Sequence, residues 1–137
     1  MKHHTKEKGD LGVLKAQVDL FEKGYVVSIP LTEHAPFDLV IYKDGVFKSV
    51  QVKYRSTNKH GTLEVRFTSS WVDKSGTHTR EVDKSKIDVY CVYCPDTDEC
   101  YYFDPNKFGK TINLRVRPSK NRQKAGVRLA SDYTRVP

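Results

Sequence analysis

The sequence has no long apolar run and no apolar segment near its beginning. Nowhere does it approach the ~18 apolar residues that suggest a membrane-spanning helix, and the start Met-Lys-His-His-Thr-Lys does not resemble a signal peptide. We therefore expect a protein without membrane contact that stays in the cytoplasm with its thiols reduced. No internal repeat or low-complexity tract is visible either.

Cysteine is also scarce, with three residues at Cys91, Cys94 and Cys100. A closed zinc site needs four ligands, and no histidine follows nearby to complete one. Cys91 and Cys94 would also point to opposite faces of a regular strand. We expect small buried core cysteines, with no zinc.

Acidic residues are nearly missing from the last quarter of the chain. Residues 106–137 hold nine Lys or Arg and one acid, Asp132, whereas the rest of the chain holds 15 bases and 16 acids. The net charge of +7 therefore comes from this basic segment, which would attract a polyanion. A solubilising, poorly ordered tail is the alternative explanation of the same composition.

A length of 137 residues indicates one domain over 1–137. The 3, 4, 3 spacing of Leu11, Leu14, Val18 and Phe21 predicts a helix over 11–23, with Asp10 at its N-cap. Runs rich in β-branched and aromatic residues predict further strands beside the helix, so the fold class should be α/β. These runs are 25–31, 63–68, 87–93, 100–103 and 112–116.

The most informative stretch, 35–55, predicts a β-hairpin. Asp44-Gly45 is a strong signal for a two-residue turn between strands 37–43 and 46–55. This turn pairs residues whose numbers sum to 89, so Asp38 should lie opposite Gln51, with Lys53 on the same face. The other face should be core.

A carboxylate, an amide oxygen and an ammonium at one place suit metal-assisted phosphodiester hydrolysis. Mg²⁺ prefers oxygen ligands, and a bound metal polarises a phosphoryl group and acidifies water. Lys53 could neutralise charge on the phosphate or orient the attacking water. The simpler interpretation is that Lys53 is a solvated strand residue and that Asp38 makes a local hydrogen bond.

Asp38 followed by Gln51-Val52-Lys53 resembles the motif of the PD-(D/E)XK nucleases. Pro36 stands two residues before Asp38 instead of next to it, and Gln51 occupies a position where the family usually has Asp or Glu. The resemblance extends to the homing endonucleases encoded in cyanobacterial group I introns. It rests on the hairpin together with the stretches 9–25, 88–103 and 121–133.

This resemblance implies a restriction-endonuclease-like core, which is a mixed and mainly antiparallel sheet with the first helix packed on one face. It also implies a catalytic role for Asp38, Gln51 and Lys53. Asp38, the Gln51 side-chain carbonyl and the Val52 backbone carbonyl would bind Mg²⁺. Members often carry a further acid in the first helix, for which Asp10 is the better placed candidate here and Glu7 the weaker one.

The partner would then be double-stranded DNA. Residues 69–86 show no clear periodicity and are interpreted as a DNA-contacting loop or hairpin extension. We expect basic residues of the middle and last parts of the chain to bind the nucleic acid. They are Arg55, Lys59, Arg66, Lys74, Arg80, Lys120, Arg122, Lys124 and Arg128.

The expected function is sequence-specific double-strand cleavage by an intron-encoded homing endonuclease. Cutting both strands calls for at least two subunits, so we expect a homo-oligomer, a dimer or tetramer, with the tetramer favoured by the resemblance. A junction resolvase or restriction-type nuclease is an alternative. A non-catalytic DNA-binding module that lacks the acidic ligand at Gln51 is another.

Overall fold

The computed structural model describes residues 5–117 and 127–137. Within them one α-helix precedes nine strands, and three short 3-10 turns lie at Lys84–Lys86, Pro105–Lys107 and Ala130–Tyr133. The helix and strands are α1 (Thr5–Glu22), β1 (Val26–Ser28), β2 (Leu39–Lys43), β3 (Val46–Tyr54), β4 (Thr62–Arg66), β5 (Thr68–Asp73), β6 (Gly76–Glu81), β7 (Val89–Cys94), β8 (Glu99–Phe103) and β9 (Thr111–Arg115). None of the helices in the described ranges is long and apolar enough to cross a membrane.

A five-stranded sheet in the order β1-β2-β3-β7-β8 is the centre of the described structure. Only β3 and β7 run parallel to each other; the remaining pairs of this sheet are antiparallel. Strands β4 and β9 form a second, two-stranded sheet, and β5 and β6 form a third. The predicted class, a mixed and mainly antiparallel α/β fold, is confirmed.

The five-stranded sheet has a hydrophobic core on each face. One core lies under α1 and contains Ala16 and Leu20, and the other lies under the β4–β9 sheet. Strand β7 contributes alternate residues to both cores, so all six of its residues are buried. This double burial explains its unbroken apolar sequence, Val-Tyr-Cys-Val-Tyr-Cys.

The turn and register of the predicted hairpin are confirmed, although its first strand begins at Leu39 instead of residue 37 and its second ends at Tyr54 instead of residue 55. Lys43 pairs with Val46 and Leu39 with Val50, as the sum of 89 requires. Asp44 and Gly45 both have positive φ, at 51° and 83°, which is the requirement of this two-residue turn. The buried residues of the hairpin are Leu39, Ile41, Val50 and Val52, all on the face towards α1.

The first helix differs from its prediction in extent and in orientation. It begins at Thr5, six residues before the predicted start, so Asp10 lies inside the helix and is not its N-cap. The predicted apolar face is largely exposed, at 59% for Leu14, 57% for Val18 and 74% for Phe21.

The buried face of the helix is instead formed by Gly12, Ala16 and Leu20, at intervals of four residues. The helix lies so close to the sheet that a Cβ on Gly12 would stand 3.5 Å from the Cβ of Tyr54. Small residues allow this approach, and counting large apolar residues misses it.

The remaining strands were predicted with errors in their bounds. The strand predicted at 25–31 is reduced to β1, and the strand predicted at 63–68 ends at Arg66. The segment 69–86, predicted as a loop or hairpin extension, contains most of the β5–β6 hairpin. Cys91 and Cys94 belong to different cores, and all three cysteines are buried and free.

The orientation of α1 can be tested by truncating one side chain on each face. Leu20→Ala should lower the free energy of unfolding by about 2–5 kcal/mol, because Leu20 is fully buried. Leu14→Ala on the exposed face should change it by only about 0.5 kcal/mol. Urea unfolding at two protein concentrations separates folding from any association. Equal losses for both variants would contradict the observed orientation.

Candidate active site

The candidate site lies at a fork between β2 and β3. Beyond the Leu39–Val50 pair, the backbone N–H of Asp38 donates to the carbonyl of Val50 at 2.9 Å, and the two strands then separate. Strand β3 continues to Tyr54 in parallel pairing with β7. The fork therefore leaves one edge of β3 without backbone partners from β2.

The side chain of Asp38 occupies this edge. Its Oδ2 accepts hydrogen bonds from the backbone N–H of Val52 at 2.8 Å and from the Nε2 of Gln51 at 3.0 Å. The carboxylate thus accepts the hydrogen bond that a backbone carbonyl of β2 would accept if the two strands stayed paired. The predicted proximity of Asp38 and Gln51 is confirmed.

The backbone carbonyl of Val52 also points into the fork. In a β-strand the N–H and C=O of one residue point to the same side, and the N–H of Val52 points to Asp38. Asp38, Gln51 and Val52 therefore bring a carboxylate, an amide and a backbone carbonyl to one place.

Lys53 lies on the same face of β3 as Gln51, and burial lowers the pKa of its ammonium group. The Asp38 carboxylate partly opposes this shift, and the Arg55 guanidinium adds to it. Burial likewise raises the pKa of Asp38 above 3.8, against the lowering effects of the Val52 N–H and of Lys53. Partial exclusion of water thus affects both charges, and a further cation beside Asp38 would favour its ionised form.

The donor set suits a hard cation with oxygen ligands, such as Mg²⁺. Asp38 supplies the charge, and Gln51 and Val52 can supply neutral oxygens. In residues 5–117 and 127–137 there is no group of three or more His, Cys, Asp and Glu side chains around one point. Waters or substrate oxygens would have to complete the coordination.

The acid predicted in the first helix is not brought to this fork by any described contact. Asp10 is exposed, and α1 packs on the opposite face of the sheet from Asp38 and Gln51. Glu7 is exposed as well, in the first turn of the helix.

The predicted DNA-binding residues are spread over several elements. Arg55 follows β3, on the same side as Lys53, and Arg66 forms an ion pair with Glu64 at the end of β4. Lys74 and Arg80 lie on the β5–β6 hairpin. Lys59 lies in the loop before β4 and Arg128 near the C-terminal 3-10 turn, whereas Lys120, Arg122 and Lys124 lie outside the described residues.

Sequence reasoning missed Tyr90, which β7 places directly beside Gln51. A strand over 87–93 was predicted, but nothing in the sequence indicated that it pairs in parallel with β3. The row Asp38, Gln51, Tyr90 thus crosses three neighbouring strands on one face.

A helix-backed mixed sheet with an Asp and a Lys at a hairpin fork defines a restriction-endonuclease-like nuclease fold. The chain belongs to the PD-(D/E)XK endonuclease family, whose model matches residues 3–136. The predicted family is therefore confirmed. Its members are typically dependent on a divalent metal.

A solved structure of similar fold is that of the bacterial homing endonuclease I-Ssp6803I. The two chains share 24% sequence identity with a TM-score of 0.76, over 96% of this chain and 88% of that one. No curated protein matches the sequence.

The burial of Asp38 predicts a pH-dependent effect of Asp38→Asn on stability without metal. A raised folded pKa makes the carboxyl favourable to folding below 3.8, and this contribution is lost as pH rises through the folded pKa. Around neutral pH the variant should therefore melt at or above the temperature of the wild type. The advantage should shrink as the pH falls towards 3.8.

Thermal unfolding in EDTA, followed by circular dichroism across this pH range, measures the difference. A variant that is much less stable than the wild type at every pH would show that Asp38 is mainly a structural hydrogen-bond acceptor.

Proposed function

We propose that this protein is a sequence-specific, Mg²⁺-dependent endonuclease that cuts both strands of DNA, encoded in a group I intron as a homing enzyme. The observation that carries the proposal is the fork, where Asp38 contacts Gln51 and the Val52 N–H beside Lys53. Membership of the endonuclease family and the likeness to a bacterial homing endonuclease support it. Residues 1–137 would form one nuclease domain, acting in the cytoplasm at the nucleoid.

In this proposal each residue at the fork has a separate task. Asp38, the Gln51 side-chain oxygen and the Val52 carbonyl would hold the metal, which would supply a Lewis acid for the phosphoryl group and an acidified water. Gln51 donates its Nε2 to Asp38 in this structure, so it must turn its amide to present oxygen. Lys53 places its ammonium group against the charge that develops on the phosphate.

The lowered pKa of Lys53 is consistent with that task. A partly desolvated ammonium group interacts more strongly with an anion than a solvated one does. The nearby Arg55 extends the positive surface beyond the fork. A phosphate entering beside Lys53 would replace some of the water that its ammonium group loses by burial.

DNA would be held by surfaces outside the fork. The β5–β6 hairpin is a two-stranded ribbon, which is a shape that fits the major groove, and it carries Lys74 and Arg80. The basic segment 106–137, with its net charge of +8 from nine bases and one acid, would add phosphate contacts. Lys59, Arg66 and Arg128 are exposed and complete the proposed interface.

A homo-oligomer is proposed because one fork cuts one strand. A tetramer with two-fold symmetry needs two different self-complementary surfaces. The described residues offer two apolar ones, the helix surface (Leu14, Val18, Phe21) and the strand surface (Val26, Tyr42, Phe47). In the strand surface the three side chains form one row, since Val26 pairs with Tyr42 and Tyr42 with Phe47.

The presence of Gln51 favours a second candidate, a DNA-binding protein without catalysis. An amide adds no charge, and within residues 5–117 and 127–137 Asp38 is the one carboxylate with a described contact at the fork. A junction resolvase or a restriction-type nuclease, which share the core, is a further alternative. Incubation with Mg²⁺ and three DNAs distinguishes them: a random duplex, an uninterrupted intron-insertion site and a four-way junction.

Substitutions at the fork should separate cleavage from binding. Asp38→Asn and Lys53→Ala should each reduce cleavage at least about 100-fold, because they remove a metal ligand and a phosphate-directed charge. DNA affinity should stay within a few fold, since the basic surfaces are untouched. Plasmid nicking and gel-shift assays measure the two quantities.

Gln51 provides a matched pair within the same experiment. Gln51→Glu retains an oxygen ligand at nearly constant size and should stay active, whereas Gln51→Ala should be strongly impaired. Wild-type nicking by Asp38→Asn, or equal activity of the two Gln51 variants, would be incompatible with this site.

Charge introduced into the two apolar surfaces should reduce the size of the assembly. Phe21→Glu and Phe47→Glu should each convert a tetramer into dimers, and the double variant should be a monomer, because a buried unpaired carboxylate is unfavourable. Val72→Glu is the matched control, since Val72 is 76% exposed but belongs to neither surface. Sedimentation velocity gives the masses, and a monomeric wild type would refute the oligomer.

A further inference from the structure

The strands β4 and β9 form a two-stranded sheet with one buried and one exposed face. Leu63, Val65, Ile112 and Leu114 are buried in the core. The alternate residues point away from the core, and all of them can form hydrogen bonds. They are Thr62, Glu64 and Arg66 on β4 and Thr111, Asn113 and Arg115 on β9, and we call this surface the outer face.

Glu64 and Asn113 form the centre of the outer face. They pair directly across the two strands, so their Cβ atoms are about 5 Å apart, and both residues are exposed. Glu64 contacts the guanidinium of Arg66 at 3.4 Å, but both side chains are more than half exposed. An ion pair of this kind contributes little to stability. Burial and ion pairing therefore do not explain why an acid and an amide stand together here.

Arg66 and Arg115 stand at opposite ends of the outer face. By the register of the sheet they are four residues apart, which corresponds to about 13 Å. The guanidinium of Arg115 is fixed in part by a hydrogen bond of 3.0 Å to the carbonyl of His60. The major groove of B-DNA is about 12 Å wide. The two cations can therefore face the phosphates on both sides of a major groove while Glu64 and Asn113 face the base pairs.

Two cavities beside the central pair leave room for groups of the DNA. One has a volume of about 190 Å³, and its lining includes Glu64, Arg66 and Arg55. The other has a volume of about 570 Å³, and its lining includes Glu64, Asn113 and Arg128. The carboxylate of Glu64 thus lies between two openings that are both bordered by arginine.

The outer face is continuous with the fork through Arg55. The backbone N–H of Arg55 donates to the carbonyl of Tyr93 at 2.9 Å, so β3 keeps its pairing with β7 up to this residue. Arg55 therefore lies on the same side of the strand as Lys53, about 7 Å further along. At its other end the outer face adjoins the β5–β6 hairpin, which begins two residues after Arg66 at Thr68. DNA that enters the fork can therefore also cover the outer face and the hairpin.

We propose that the outer face determines sequence specificity, with Glu64 and Asn113 contacting base edges in the major groove of the DNA that is cut at the fork. This inference rests on the proposed nuclease function and deepens it. Glu64 accepts a hydrogen bond from the N4 amino group of cytosine, and Asn113 binds N6 and N7 of adenine. Arg66 and Arg115 contact the flanking phosphates and orient the surface.

The charge of Glu64 makes this contact selective. A carboxylate repels phosphates, so it opposes the binding of any DNA that offers it no donor. In the major groove cytosine and adenine present amino groups, whereas guanine and thymine present acceptors. Glu64 thus acts against the wrong bases as well as in favour of the right one.

Selection from a random pool of duplexes compares the wild type with Glu64→Gln, Asn113→Ala and a matched control, Glu22→Gln. Glu22 is exposed at the end of α1, which packs on the opposite face of the five-stranded sheet, so this substitution removes the same charge elsewhere. Binding without Mg²⁺ allows the bound duplexes to be recovered uncut and sequenced. All three positions are exposed, so the melting temperatures should stay close to that of the wild type.

The wild type and Glu22→Gln should select the same base pairs. Glu64→Gln should lose a preference for cytosine at one position by about 10-fold, within the range for one base contact. Asn113→Ala should lose a preference for adenine by a similar factor at a neighbouring base pair. The affinity of Glu64→Gln for random duplex should not fall, because a negative charge is removed.

A modified base tests whether the contact lies in the major groove. Replacing the selected adenine with 7-deazaadenine removes the N7 acceptor and leaves the base pair intact. The affinity of the wild type should fall about 10-fold, whereas Asn113→Ala should lose nothing further. Equal losses in both proteins would refute the contact between Asn113 and adenine.

The outcomes separate this inference from the proposed function. Unchanged preferences in both variants refute the inference alone, and a preference kept by one variant refutes the role of that residue. If Glu64→Gln changes all affinities equally, as Glu22→Gln does, then Glu64 is only a solvated acid. A wild type that selects no sequence refutes the proposed specificity together with this inference. A wild type that selects a duplex but does not cut it with Mg²⁺ refutes the nuclease function and leaves the base contacts.

Discussion

The hydrogen bond from the Val52 N–H to the Asp38 carboxylate is the contact on which the candidate site depends. A sheet that opens into a fork exposes backbone groups, and each buried one must find a partner. Asp38 provides that partner and is thereby held beside Gln51. The same contact turns the carbonyl of Val52 towards the opening. The need to pair the Val52 N–H thus brings the carboxylate, the amide and the backbone carbonyl together.

The site combines this geometry with charges that burial makes less favourable. Burial shifts the pKa values of Asp38 and Lys53 so that both neutral forms are favoured, and the charge of each group partly opposes the shift of the other. Binding of metal and phosphate would relieve both groups at once. The free energy of folding is therefore less favourable than it would be with a neutral pair at these two positions, as is common at functional sites.

The local parts of the site could be predicted from the sequence, whereas the long-range parts could not. Asp44-Gly45 determines the register of the hairpin. The contact between Asp38 and Gln51 then follows from this turn and from the alternation of side chains between the two faces of a strand. The first helix was predicted, but its buried face was not, because the prediction relied on large residues such as Phe21, whereas close approach to the sheet selects Gly12 and Ala16. Tyr90 was missed because the parallel pairing of β3 and β7 joins segments that no turn connects.

The β5–β6 hairpin, to which we assign DNA contacts in the proposed function, has a consequence for how such contacts can change over time. It leaves and rejoins the core at one point, where the N–H of Val82 donates to the carbonyl of Phe67 at 2.9 Å. Residues beyond that closure can vary in length and composition at little cost to folding, since loop closure depends weakly on length. In the proposed function, target preference would therefore diversify on this arm while the fork is kept. The fold would then separate the proposed DNA-contacting hairpin from the proposed site of cleavage.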